Sequence, residues 1–192
     1  NNAVPTKGNL IRAKNSLKLA KQGYELMDKK RNILIRELMG LVDQAKDIQA
    51  EIRTTFTTAY AALQRADMEL GINAVADVAR NVPIEDTVEV KTRSIMGTEI
   101  PLVRYDAATR TPAYAFYSTK ESLDIARVSF EKVKDLTIKL SAVENSAYQL
   151  AANIKKAQKR ANALKNITIP RYEALTKDIS NALEEKEREE FT

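Results

Sequence analysis

Residues 10–66 read LIRAKNSLKLAKQGYELMDKKRNILIRELMGLVDQAKDIQAEIRTTFTTAYAALQRA. Stepping through them by alternating threes and fours picks out Leu10, Ala13, Leu17, Ala20, Tyr24, Met27, Arg31, Leu34, Leu38, Leu41, Ala45, Ile48, Ile52, Thr55, Ala59, Ala62 and Ala66. Only Arg31 and Thr55 break the apolar series. A second series near the other end runs Leu136, Leu140, Val143, Ala147, Leu150, Ile154, Ala157, Ala161 and Leu164. A period of about 3.5 residues held over so many heptads makes helices supercoil around one another, because a straight α-helix would drift off such a stripe. The sequence therefore predicts a mostly α protein: a long antiparallel two-helix left-handed coiled coil with a small central β-hairpin.

Composition agrees. The 192 residues are 44% apolar but only 6% aromatic, with five Gly, five Pro and no Trp, and Ala, Leu, Lys and Glu carry the chain as they do in long helices. The absence of Cys removes disulfide and thiol chemistry and fits a reducing compartment. No apolar run approaches the roughly 18–20 residues that span a bilayer, so a cytoplasmic protein with no direct membrane insertion is expected. The 31 basic and 26 acidic residues leave a formal charge of +5, too small and dispersed to require nucleic acid.

One structural unit with no independent globular domains is expected, in three stretches. Residues 1–80 form the N-terminal helix, opening near Pro5 and Thr6, with Thr6 available as a cap. The pattern fades after Ala66, and Asn81 or Pro83 ends the helix. Residues 81–117 form the central hairpin and loop. There Val88, Val90 and Thr92 alternate with polar residues, Met96 and Gly97 interrupt, and Thr98 to Val103 resumes with β-formers around Ile100 and Pro101, an alternation that reads as a hairpin turning near Gly97 with Pro101 limiting one strand to an edge. Residues 106–117 read as a loop. Residues 118–192 form the C-terminal helix, with Ser118 and Glu121 spaced as a capping box. At 1.5 Å per residue each long helix would be about 90–110 Å.

The turn lies near the midpoint, so antiparallel partners should have residue numbers that sum to roughly 194. Charge supports this register. Residues 1–21 carry Lys7, Arg12, Lys14, Lys18 and Lys21 without an acid, whereas Glu184, Glu185, Glu187, Glu189 and Glu190 crowd the other end. Each cluster opposes its own helix dipole, and an antiparallel pairing offsets that cost. In the second helix the spacing slips by threes from Phe130 through Val133 to Leu136, and by fours from Leu164 through Thr168 to Tyr172, where Pro170 should kink it.

Catalytic groups are scarce. The chain has no His, and its glycines are too scattered for a phosphate-binding loop. Carboxylates, Lys and Tyr would have to carry any acid–base chemistry, and the adjacent glutamates near the C-terminus read as a solvated face. Neither catalytic residues, cofactors nor metals are expected. Three features could meet a partner. Leu19, Leu26 and Ile33 recur every seven residues away from the seam, and outward apolar rows on a coiled coil usually meet another surface, a different chain or a second copy. Lys29, Lys30 and Arg31 lie near Lys155, Lys156, Lys159 and Arg160 under the sum rule, forming a basic collar. That collar is either two solvated faces or a contact for an acidic partner; no aromatics interleave to stack bases. Gly23, with Gly8 and Gly40 on the same helix, reads as tolerated drift or as close approach.

The residues resemble the D subunit of the vacuolar/archaeal-type rotary ATPases. Pro5-Thr6-Lys7 with Leu10, Ala20-x-x-Gly23-x-x-Leu26 and Lys29-x-Arg31 are similar to its N-terminal signature. Lys159-Arg160-Ala161-Asn162-Ala163-Leu164, Ile167-x-Ile169-Pro170 and Leu183-Glu184-Glu185-x-Glu187-Arg188-Glu189 are similar to its C-terminal run, and Met96-Gly97-x-x-Ile100-Pro101 to its hairpin. Lys165, Ala161 and Asn32 depart from the family pattern. The chain also stops at Thr192, before the family's basic tail, as a trimmed chain or a short member would. The resemblance implies a non-catalytic central rotor protein that couples ATP hydrolysis or synthesis to rotation of the membrane ion ring. The implied partners are the catalytic A and non-catalytic B subunits of the hexamer, the small F subunit of the stalk, and the membrane-ring adaptor, known as the C or d subunit. The implied place is cytoplasmic, peripheral on the membrane. Ring contacts would fall on Leu19, Gly23, Leu26, Lys29, Lys30, Arg31, Ile33, Lys155, Lys156, Lys159, Arg160, Asn162 and Pro170. The alternative is a non-rotary helical-hairpin tether or membrane-surface scaffold.

Overall fold

In the computed structural model, which describes residues 4–84, 86–105, 112 and 114–190, the first helix, α1, runs Lys7–Leu70. The Thr6 hydroxyl accepts the Asn9 N–H at 3.2 Å, satisfying one of the donors a helix start leaves open. Every residue of the first heptad series is buried or half-buried, Arg31 and Thr55 included, and so is every residue of the second. Burial follows the 3.5-residue period because these are the positions that face the other helix. Two long helices pack together with a small antiparallel β-hairpin between them in the chain.

The N-terminal helix does not continue unbroken to residue 80. At Gly71 the backbone turns to φ 90 and ψ 144, a conformation open chiefly to glycine, and a separate helix, α2, follows at Ile72–Arg80. Gly71 N–H still bonds the Asp67 carbonyl at 3.0 Å, and the new ladder starts with Val75 N–H on the Gly71 carbonyl at 3.2 Å. The hairpin is as the alternation predicts. Strand β1, Glu89–Ile95, pairs antiparallel with β2, Thr98–Arg104. Ile95 opposes Thr98, leaving Met96 and Gly97 as a two-residue turn with φ 49 and 75, the pair of positive angles that matches strand twist. The loop expected over 106–117 lies partly outside the described residues, at 106–111 and 113.

The capping box at Ser118 does not form. Phe116–Ser118 makes a 3-10 turn, Thr119 is extended, and α3 begins at Glu121 and runs to Ala163. Glu121 and Asp124 lie in its first turn, where the helix dipole favours acids. A π turn, Leu164–Thr168, follows, and α4 runs Ile169–Glu190. This is the structural form of the spacing slip. The π turn takes in an extra residue, so Thr168 and Tyr172 stay half-buried and Ile179 stays buried. Pro170 then falls in the first turn of α4, where a missing N–H is tolerated.

The chain forms two compact units, one from Asn1–Arg36 with Ala151–Thr192, the other from Glu37–Leu150. In the second unit, Ala66, Val75 and Leu123 form a buried cluster with Leu63, Leu70, Val78 and Tyr114 packed on it. The Tyr114 hydroxyl donates to the Asp124 carboxylate, and the Ser122 hydroxyl to Glu69 at 2.6 Å. Tyr60 and Phe130 meet edge to face across the helices at 5.4 Å.

Candidate partner-binding surface

The unit built from both chain ends carries the surface that could receive a partner. Its internal register comes first. Lys7 Nζ lies 3.0 Å from Glu187 Oε1 and Lys21 Nζ 2.8 Å from Glu173 Oε1, so the basic start of α1 runs antiparallel beside the acidic α4. Hydrogen bonding to Glu187, reinforced by its charge, raises the Lys7 pKa.

Further along α1, Arg31 turns into the seam. It donates through Nη1 to Gln158 Oε1 at 2.8 Å and pairs through Nη2 with Asp28 Oδ1 at 2.6 Å. Gln158 in turn donates to Asn162 Oδ1 at 2.9 Å, and Asn32 donates to Asp28 at 3.4 Å. The straight sum rule would put Arg31 beside Ala163. It meets Gln158 instead, because the π turn intervenes before the Lys21–Glu173 level and the arginine side chain is long. A polar layer thus replaces one apolar rung of the seam, a device that specifies register at some cost in stability.

That contact sets Lys29 and Lys30 at the level of the run Lys155, Lys156, Lys159 and Arg160 that flanks Gln158 in sequence. All but the half-buried Lys30 are exposed, and among the described residues none of the six makes an ion pair. Lys7 and Lys21 are matched by acids of α4, whereas the collar residues, like Arg12, Lys14 and Lys18 of the same terminal stretch, make no ion pair among the described residues. Arg31, held by Gln158, Asp28 and Asn32, is the one expected collar residue that is engaged within the chain.

The apolar row is on the surface as its spacing requires. Leu19 is 68% exposed, Leu26 63% and Ile33 38%, while the adjacent seam residues Ala20 and Leu34 are buried. Ile11, 60% exposed, lies on the same side of the helix at 100° per residue. It was legible in the sequence but breaks the seven-residue spacing that reveals the other three. Gly23 faces the partner helix: a Cβ there would stand 3.6 Å from Leu164 Cδ1. Asn162 and Pro170 are exposed.

In the other unit, the hairpin shows an uneven exposure. Thr98 and Ile100 are buried and Pro101 is half-buried, whereas Val88, Val90 and Met96 are exposed. The Ser146 hydroxyl of α3 reaches the Pro101 carbonyl at 3.4 Å, and an open groove between hairpin and helix is lined by Val90, Ile100, Thr137, Ile138 and Ala142. Among the described residues there is no acidic cluster that could hold a metal, and no helix is long and apolar enough to cross a membrane.

Comparison with known proteins completes the description. A family profile for the D subunit of ATP synthase matches residues 9–192. The chain is 41% identical over 188 residues to the D subunit of the V-type ATP synthase of Thermotoga neapolitana, covering 98% of this chain and 93% of that protein. It is 36% identical over 193 residues to the D subunit of the A-type ATP synthase of Thermococcus kodakarensis, covering 99% and 90%, and 36% identical over 190 residues to that of Pyrococcus furiosus, covering 97% and 89%.

Proposed function

Because this chain belongs to the D-subunit family of V/A-type ATP synthases, the non-catalytic component that forms the central stalk, we propose that its paired end segments are the part of the stalk seated in the ring of A and B subunits. One observation carries this reading: the exposed row Leu19, Leu26 and Ile33 lies on the same unit as basic residues that make no ion pair among the described residues. An apolar row wants a dry surface, and an unneutralised collar wants acidic groups. A ring lined by both would hold the stalk without locking one rotational position, because the collar's attraction is spread over many partners and is weak at each.

On this reading the chain is the rotor shaft. Closure of successive catalytic sites pushes on Leu19, Leu26, Ile33 and the collar, and the paired helices carry the turn to the membrane ion ring. The hairpin side, with Val88, Val90 and Met96 exposed, receives the small F subunit of the stalk and the membrane-ring adaptor. The chain then acts as a peripheral component on the cytoplasmic side of the membrane. The test is native extraction of the complex from membranes followed by affinity capture of this chain. Recovery of A and B subunits is expected; capture of the intact chain without either would sink the proposal. Replacing Leu19 and Leu26 by Asp should abolish ring recovery while leaving the helix content unchanged by circular dichroism.

A further inference from the structure

Gly23 and the π turn stand directly across from each other. The position of a Cβ at Gly23 is 3.6 Å from Leu164 Cδ1, and Leu164 opens the π turn. At Gly8 and Gly40, by contrast, a Cβ would have nothing within 4 Å. Both helices are therefore weakened at one level. In α1, a glycine lowers helix stability relative to Ala. Opposite it, the Ile169 N–H closes back on the Leu164 carbonyl, a wider ring than the regular ladder, and Pro170 two positions past the turn contributes no N–H at all. Among the described residues at this level only Ala161 is fully buried, and Tyr24, Met27, Leu164 and Tyr172 are half-buried. The polar Arg31–Gln158 layer, 2.8 Å across, bounds the level on one side and the Lys21–Glu173 pair, 2.8 Å across, on the other.

We infer that Gly23 and the turn Leu164–Thr168 form a paired compliance joint, a place where the two helices yield in twist while the layers on either side hold their register. A π turn can slide its extra residue along the helix, because each step exchanges one wide hydrogen bond for another. A glycine opposite lets the facing backbone follow without a side chain to repack. The two sides need each other, since a rigid α1 would hold the π turn in place. The use of this joint in storing twist between ring and membrane rests on the rotor reading; the joint itself does not.

Hydrogen exchange of the isolated full chain reads the joint without any ring. Amides over 164–169 should exchange about tenfold or more faster than those over 152–159 of the same helix. Gly23→Ala combined with Pro170→Ala should slow the 164–169 amides about tenfold, while Gly40→Ala, which adds the same helix propensity elsewhere, should leave them unchanged. Gly23→Ala alone, whose Cβ fits at ordinary contact distance, keeps the test if the double variant fails to fold; it should slow the same amides to a lesser extent. Equal protection across 152–169, no change in the stiffened variants, or equal slowing by Gly40→Ala would each overturn the inference.

Discussion

Arg31 reaches across the seam of the end unit to donate a hydrogen bond to Gln158 at 2.8 Å, at a heptad position where every neighbour along the stripe is apolar. Its guanidinium also holds Asp28 at 2.6 Å. The residue therefore belongs to the packing of the helix pair first and to any partner second.

Replacing it by alanine should lower stability by about 1–2 kcal/mol, because the change removes both the hydrogen bond and the packed alkyl stem. Leucine should recover most of that loss by refilling the seam. A thermal melt followed by circular dichroism distinguishes them; equal destabilisation by both changes would show that the polar contacts, not the stem, carry the effect.

Leu34 and Ile33 are adjacent, yet the first is fully buried and the second is on the surface. Leu34→Ala should cost about 2–4 kcal/mol through lost burial and a cavity. Ile33→Ala should change stability by no more than about 0.5 kcal/mol and show instead as weakened ring association. Urea unfolding of the isolated chain and co-purification from membranes separate the two effects.

Reversing charge at the collar is expected to act through salt-sensitive attraction. Lys29→Glu with Lys159→Glu should weaken recovery of the ring proteins about tenfold or more at low ionic strength, with the difference shrinking toward about 0.5 M salt as screening shortens to a few ångströms. A salt-independent defect would instead point to damage within the chain.

Glycines divide by backbone angle. Gly71, at φ 90 and ψ 144, has open space around it, so Gly71→Ala should destabilise by about 1–3 kcal/mol from conformation alone. Gly40 is helical and exposed, and Gly40→Ala should stabilise by about 1 kcal/mol. Melting temperatures that move in opposite directions are the expected result.

Alkaline titration should expose two groups whose pKa values are raised. Burial, aided by the hydrogen bond to Asp124, lifts Tyr114 above the ordinary tyrosine value of 10.0, so tyrosinate absorbance should show one late-titrating tyrosine that Tyr114→Phe removes. Because the folded value is the higher one, this contribution is complete below the unfolded pKa and lost as pH rises through the folded one. Lys7, raised by Glu187 from 10.5, follows the same sign, so its pairing survives the neutral range.

Much of the protein was legible in one dimension. The heptad series from Leu10 to Ala66 and from Leu136 to Leu164 named the seam, the opposed charges of Lys7 and Glu187 named the antiparallel sense, and Met96-Gly97 named the hairpin turn. Each depends on periodicity, local turn chemistry or long runs of charge, and such signals need no knowledge of the partner residue. The spacing slip at Leu164, Thr168 and Tyr172 also announced an irregularity.

The tertiary structure decided what the irregularities became. An extra residue in a heptad pattern can unwind a coil gradually or be taken up in one turn, and in the fold it is taken up in the π turn Leu164–Thr168, opposite Gly23. Gly71 ends α1 at φ 90, and Val75 of α2 then joins Ala66 and Leu123 in one buried cluster. Ser118 does not cap α3 because Thr119 is extended and Ser122 is held to Glu69, 53 positions away. Whether a basic residue stays available for a partner or is neutralised at home likewise depends on which acid folds beside it. Periodicity and charge sign are properties of the chain alone; the choice among local alternatives of similar energy is made by contacts between residues far apart in sequence.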